Sequence, residues 1–153
     1  MDKPQPVSLQ DILQQVEANL LKDIQDKQAL LQYHHLPSVM GHPSLLVQLF
    51  QNLISNSLKF VQSDTQPLIS VVFEKESRGQ VQIAVQDNGI GIPKEDQNRV
   101  FELFSRLHSS KDYAGSGVGL AACQKIIQHH GGHIWLTSEE GAGTRVHLLL
   151  PAG

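Results

Sequence analysis

The sequence predicts a two-layer α/β sandwich, a mixed sheet of about five strands covered on one face by three helices, and two observations carry this. Amphipathic helical stretches alternate with pairs of short strand-like segments along the chain. The strand-like segments show a period of two, clearest in QVQIAVQD, where Val81, Ile83 and Val85 alternate with Gln82 and Gln86. At 153 residues the chain suits one compact domain, and with 40% apolar residues it can bury a core.

Residues 1–7 contain two prolines and read as a linker, leaving 8–153 as the domain. Ser8, three residues before Asp11, is placed to cap a helix running to about Asp26. ALLQYHH and SVMG read as short strands split by Pro37. His42-Pro43 opens a second helix, with proline at its tolerated first position, running to about Val61. LISVVFEK and QVQIAVQD follow as strands joined through Ser77-Arg78-Gly79. After the glycine-rich DNGIGIP a short helix is expected near Asp96 to Phe104, then the polar stretch SRLHSSKDYAGSG. A helix from about Gly117 to His130 stops at Gly131-Gly132, and GHIWLTSEE and GTRVHLLLP close as a hairpin.

Composition removes several classes of function. A net charge of −3 without a basic block argues against nucleic acid as a partner. Cys123 is the sole cysteine, so no internal disulfide forms. No apolar run nears the roughly 18 residues of a membrane span, and the N-terminus lacks a signal-peptide core. A soluble, cytoplasmic domain without membrane contact is expected, whatever a parent protein carries upstream. No Walker-type G-x-x-x-x-G-K-[ST] occurs, and GSGVG lacks the Rossmann glycine spacing.

Three segments carry chemistry. In the helix LLVQLFQNLISNSLKF, Leu45, Leu49, Phe50, Leu53 and Ile54 form an apolar face. Asn52, Asn56 and Lys59 gather within roughly 60° at its edge, with Asn56 inside the stripe. Leaving a buried amide unpaired costs on the order of 1–3 kcal/mol. Asn56 is therefore either bonded to a neighbouring loop or an amide oxygen offered to Mg²⁺, with Lys59 reaching phosphate. Asp87-Asn88-Gly89 reads as a hairpin turn, or as a strand end where Asp87 accepts from an adenine amine and glycines admit the base. Gly115 to Gly119 is either a flexible connector or a helix start suited to phosphate. The preceding polar stretch, anchored by few apolar residues, reads as a lid.

The ordered set NLISNSLKF, DNGIGIP, FELFSRLH, GSGVGLA and GAGTRV resembles the nucleotide-binding boxes of the histidine-kinase ATP-binding domain, of the Bergerat-fold superfamily. The resemblance runs from about Ser8 to Pro151. It implies ATP and Mg²⁺ as ligands, with Asn56 holding the metal and Lys59 a phosphate. Asp87 would read adenine, flanked by Gly89, Gly91 and Ile92, with Thr144 nearby through water. Gly115, Gly117, Val118, Gly119 and Leu120 would line the phosphate side. Phe101 and Phe104 would anchor the lid, and Arg106 and Lys111 would reach the terminal phosphate. HGGHIW and SRLHS look most like phytochrome-type and hybrid kinases. Ser57, where alanine is usual, and Ala122-Cys123 are expected to touch no ligand contact.

The resemblance also separates kinase from hydrolase. Related ATPases carry a glutamate base one turn before the metal-binding asparagine, where this chain has Asn52, which accepts no proton near neutral pH. None of the eight histidines has the phosphoacceptor context of an acidic residue, a basic one and then proline. The expected reading is the catalytic half of a two-component sensor histidine kinase. Its partners would be an upstream phosphoacceptor dimerisation domain and a response-regulator receiver, the whole being a homodimer. Alternatives are a hydrolase or serine kinase on the same fold, or a docking module that has lost catalysis.

Overall fold

A computed structural model describes residues 3–97 and 116–153. Its centre is a five-stranded sheet of β2 (Leu30–Tyr33), β4 (Leu68–Ser77), β5 (Gln80–Asp87), β7 (Gly143–Pro151) and β6 (His133–Glu139), in that spatial order. β2 runs parallel to β4 and the other pairs are antiparallel, so the sheet is mixed as expected. α1 (Leu9–Asn19), α3 (Pro43–Lys59) and α4 (Ser116–His129) cover one face, with a short α2 (Leu21–Asp26) after α1.

The α3 face follows its periodicity. Leu46, Leu49, Phe50, Leu53, Ile54 and Leu58 are buried, although Leu46 rather than Leu45 is the fully enclosed residue at the start. They meet Leu9 and Leu13 of α1, Ile69 of β4, Ile83 of β5, Ile127 of α4 and Leu148 and Leu150 of β7 in one core. Each such side chain contributes roughly 1.5–3 kcal/mol on burial. The other sheet face carries a polar network. Glu74 accepts from Arg145 Nη2 at 2.9 Å and pairs with His147 Nδ1 at 2.8 Å, and His147 stacks on Trp135.

The structure corrects two local expectations. From Gln5 on, the presumed linker is a strand, β1 (Gln5–Ser8), antiparallel to β3 (Ser38–Gly41) in a separate two-stranded ribbon. Burial of Val7 secures it, and an outer ribbon tolerates Pro6. The first helix also breaks at Leu20, whose backbone (φ −104°, ψ 10°) leaves the helical region. Ser8 does cap α1, accepting from Asp11 N at 3.2 Å.

α4 ends as anticipated. Gly131 takes φ +73°, and Gly132 N donates to Ile127 O at 2.9 Å, closing the last turn. His130 joins the two long helices: its Nε2 accepts from His42 N at 3.0 Å, and its Nδ1 lies 2.8 Å from Ile126 O. That pairing gives His130 a structural role.

Candidate functional site

A cleft of about 520 Å³, counted to its open mouth, lies between α3, the C-terminal end of β5, the following loop and the β6–β7 hairpin. Leu53, Phe60, Ile90, Ile92, Leu120, Leu136 and Val146 give it apolar walls, and Asn56, Ser57, Asp87 and Thr144 converge on it. A small number of polar groups in an apolar cleft is the usual make-up of a small-molecule site.

Asp87 sits at the foot of the cleft, where β5 ends. Its Oδ1 accepts from Gly89 N at 2.9 Å and Thr144 N at 3.1 Å, and its Oδ2 accepts from Ser57 Oγ at 2.8 Å. Burial pushes its pKa above the ordinary aspartate value, and the donors of Gly89, Ser57 and Thr144 oppose that rise. Ser57, expected to stand clear of every ligand contact, therefore touches the most important candidate.

The glycines of DNGIGIP serve chain-to-chain approach. A Cβ on Gly89 would fall 2.4 Å from Phe60 O, and one on Gly91 2.2 Å from Glu139 O. Ile90 N donates to Phe60 O at 2.8 Å and Gly141 N to Ile90 O at 2.7 Å, so the loop crosses α3 and the hairpin instead of turning into a strand. Asn88 ties this loop to the start of β4, since its Oδ1 accepts from Leu68 N and its Nδ2 donates to Gln66 O. Ser138 is a residue the sequence did not flag. Its Oγ accepts from Ile92 N at 2.9 Å, contacts Gly143 O at 2.9 Å and meets Thr144 Oγ1 at 2.8 Å.

Asn56 has a buried Nδ2 with no hydrogen-bond partner among the described residues. The amide can exchange its nitrogen and oxygen by rotation, so an oxygen can occupy that position. A cleft-wall amide with one end unengaged fits Mg²⁺, which takes few protein oxygens and completes its shell with water and phosphate. Its expected neighbours part company. Lys59 is exposed in the last turn of α3 and does not line the cleft. Asn52 turns to α4, where its side chain hydrogen-bonds Cys123. Burial pushes the Cys123 thiol up to about 12, and its Sγ lies 3.8 Å from Leu49 O.

The structure thus brings together Asn56, Asp87, Gly91, Ile92, Leu120 and Thr144, and places Gly89 beneath them. Gly117, Val118 and Gly119 fall in the first turn of α4. Phe101, Phe104, Arg106, Lys111 and Gly115 lie outside the described residues.

Comparison with known proteins extends this geometry. The family described as histidine kinase-, DNA gyrase B- and HSP90-like ATPase matches residues 41–153. The phytochrome-like protein Cph1 of a Synechocystis strain is 40% identical over 145 residues, covering 95% of this chain and 19% of the relative. The chain thus spans about a fifth of that relative's length. The catalytic domain of histidine kinase ThkA superposes with a TM-score of 0.81 at 21% identity, covering 99% of both chains. Full-length ShkA, solved in complex with AMPPNP, superposes with a TM-score of 0.80 at 22% identity over 100% of this chain and 32% of that one.

Proposed function

The chain belongs to the histidine kinase-, DNA gyrase B- and HSP90-like ATPases, and from that premise we propose that it is the ATP-binding catalytic domain of a two-component sensor histidine kinase. It would transfer the γ-phosphate of Mg-ATP to a histidine on a separate dimerisation domain. The observation that carries the reading is Asp87, a partly buried carboxylate held by three donors at the foot of an apolar cleft. That arrangement suits the exocyclic amine of adenine between apolar walls. The AMPPNP complex of ShkA, similar in fold over the whole chain, supports the same choice of ligand.

In this reading Ile92, Leu120 and Leu136 sandwich the base, and Thr144 bonds it directly or through water. Asn56 would hold Mg²⁺, which when bound neutralises charge on the phosphates. Lys59 and the first turn of α4, with Gly115, Gly117, Val118 and Gly119, would meet the phosphates, where free helix N–H groups favour anions. Phe101 and Phe104 would anchor a lid, with Arg106 and Lys111 directed at the γ-phosphate. Asn52 offers no base for water and is engaged with Cys123. The γ-phosphate is then kept for an incoming imidazole, with positioning and charge neutralisation supplying the catalysis. The partners are an upstream helical dimerisation domain and a receiver domain, within a cytoplasmic homodimeric kinase.

The test mixes labelled ATP and Mg²⁺ with this chain, with and without the dimerisation domain of its parent kinase. Acid-labile, base-stable label is expected on the added domain alone, and only when its histidine is present. Label on this chain by itself, or brisk phosphate release without the partner, overturns the reading.

A further inference from the structure

With the kinase reading as premise, the acceptor directions of Asp87 determine which base edge it takes. An ionised carboxylate offers about four lone-pair directions. Gly89 N and Thr144 N take both on Oδ1, and Ser57 Oγ takes one on Oδ2. One direction therefore remains, on Oδ2, for a ligand in the cleft that Asp87 and Ser57 both line. A single open acceptor demands a single N–H.

Ser57 has a property that the two main-chain donors lack. Its hydroxyl carries one proton and lies within reach of two acceptors, Asp87 Oδ2 at 2.8 Å and Leu53 O at 3.2 Å. Against a carboxylate the proton goes to Oδ2, because a bond to a charged acceptor is the stronger. Against an amide it can swing to Leu53 O and expose a lone pair. Gly89 N and Thr144 N, fixed donors, dictate that an asparagine at position 87 turns its oxygen toward them. The amide NH₂ then occupies the Oδ2 position, with one hydrogen on Ser57 Oγ and the other facing the cleft.

We propose that Ser57 is a specificity-determining positioning residue, whose reversible hydroxyl occupies the second direction at the Oδ2 side of residue 87, so that a single direction of one polarity faces the base. With aspartate the open direction accepts, which selects the 6-amino group of adenine. With asparagine it donates, which selects the 6-oxo group of hypoxanthine, a ring of nearly the same shape. Alanine at position 57 leaves Oδ2 with a second open direction for water and weakens discrimination.

Calorimetric titration of Mg-ADP and Mg-IDP into the wild type, Asp87→Asn, Ser57→Ala and the Ser57→Ala/Asp87→Asn double variant tests this. The wild type is expected to favour ADP at least about tenfold, and Asp87→Asn to favour IDP. The double variant keeps the reversed sign but with a weakened preference, because one amide hydrogen has lost its partner, and Ser57→Thr in place of alanine restores it. Ser57→Ala alone narrows the ADP preference by roughly threefold to tenfold, which keeps the test open if Asp87→Asn folds poorly. An ADP-to-IDP ratio indifferent to the hydroxyl at 57 overturns the proposal while nucleotide binding stands. A wild type that binds neither nucleotide overturns the kinase reading and this inference with it.

Discussion

The main-chain N–H of Thr144 donates to Asp87 Oδ1 at 3.1 Å, and the two residues are register partners across the β5–β7 pair. The sheet register itself thus aims a donor at the carboxylate, and a one-residue slip would turn it away. Because burial raises the pKa of Asp87, the nucleotide-free domain protonates this group at higher pH than an exposed aspartate. A ligand N–H needs the ionised form, so ADP affinity should be flat above that raised pKa and fall as pH drops through it. Stability has the opposite sign: this group's contribution is fully present below the ordinary aspartate value and is lost as pH rises through the raised one. Titrations of ADP over a pH series check the first statement, and Asp87→Asn should abolish that pH dependence.

Much of this site is legible in the sequence because its residues announce themselves locally. Asp87 ends an alternating strand before two glycines, and Asn56 is an amide within an apolar helical stripe. Ser57 and Ser138 give no such signal. A serine is unremarkable until the chain brings a partner to it, and Asp87 lies thirty residues from Ser57. Angular proximity on a helix also misleads at a domain edge. Asn52, Asn56 and Lys59 share a sector, yet one faces α4, one the cleft and one solvent. The short β1 escaped because Pro4 and Pro6 outweigh Val7, whose burial depends on a distant core.

Gly91→Ala should damage both fold and binding. Gly91 has φ +77°, and an added Cβ would fall 2.2 Å from Glu139 O, a main-chain atom that cannot swing aside. Left-handed strain costs roughly 1 kcal/mol, and the clash should bring the loss to roughly 2–4 kcal/mol. Gly141→Ala is the control, with φ +84° but nothing within 4 Å of the new Cβ. Denaturant melts should show the first variant clearly less stable than the second. Equal losses would mean that the loop's close crossing of the hairpin is unimportant.

Glu74 governs stability on the sheet face remote from the cleft. Burial alone would raise its pKa, but hydrogen bonds from Arg145, His147 and Gln82 outweigh this and hold it at about 2 against an ordinary 4.5. A lowered carboxylate pKa stabilises above the ordinary value and loses that contribution as pH falls from about 4.5 toward 2. Glu74→Gln should therefore cost roughly 1–3 kcal/mol at neutral pH and flatten the acid limb of the stability curve. Its ADP affinity should match the wild type. Identical acid unfolding of the two proteins would show that the Glu74 network contributes nothing.

Asn56 separates structure from function most sharply, because its amide makes the protein no better folded. Its buried Nδ2 has no partner among the described residues, so truncation removes an unsatisfied donor. Losing an unsatisfied donor offsets the small cavity that alanine leaves, and the melting temperature of Asn56→Ala should change little, within about 1 kcal/mol of stability. The same substitution removes the one amide side chain that lines the cleft among the described residues. Mg²⁺ should then cease to strengthen ATP binding, and transfer to an added dimerisation domain should be lost. Asn56→Asp keeps an oxygen but adds charge beside the phosphates, so it should bind ATP in a manner that depends differently on Mg²⁺ concentration. Thermal melts and ATP titrations across a Mg²⁺ series read these effects separately. A large fall in melting temperature with Mg²⁺ dependence intact would make Asn56 a packing residue and move the metal elsewhere.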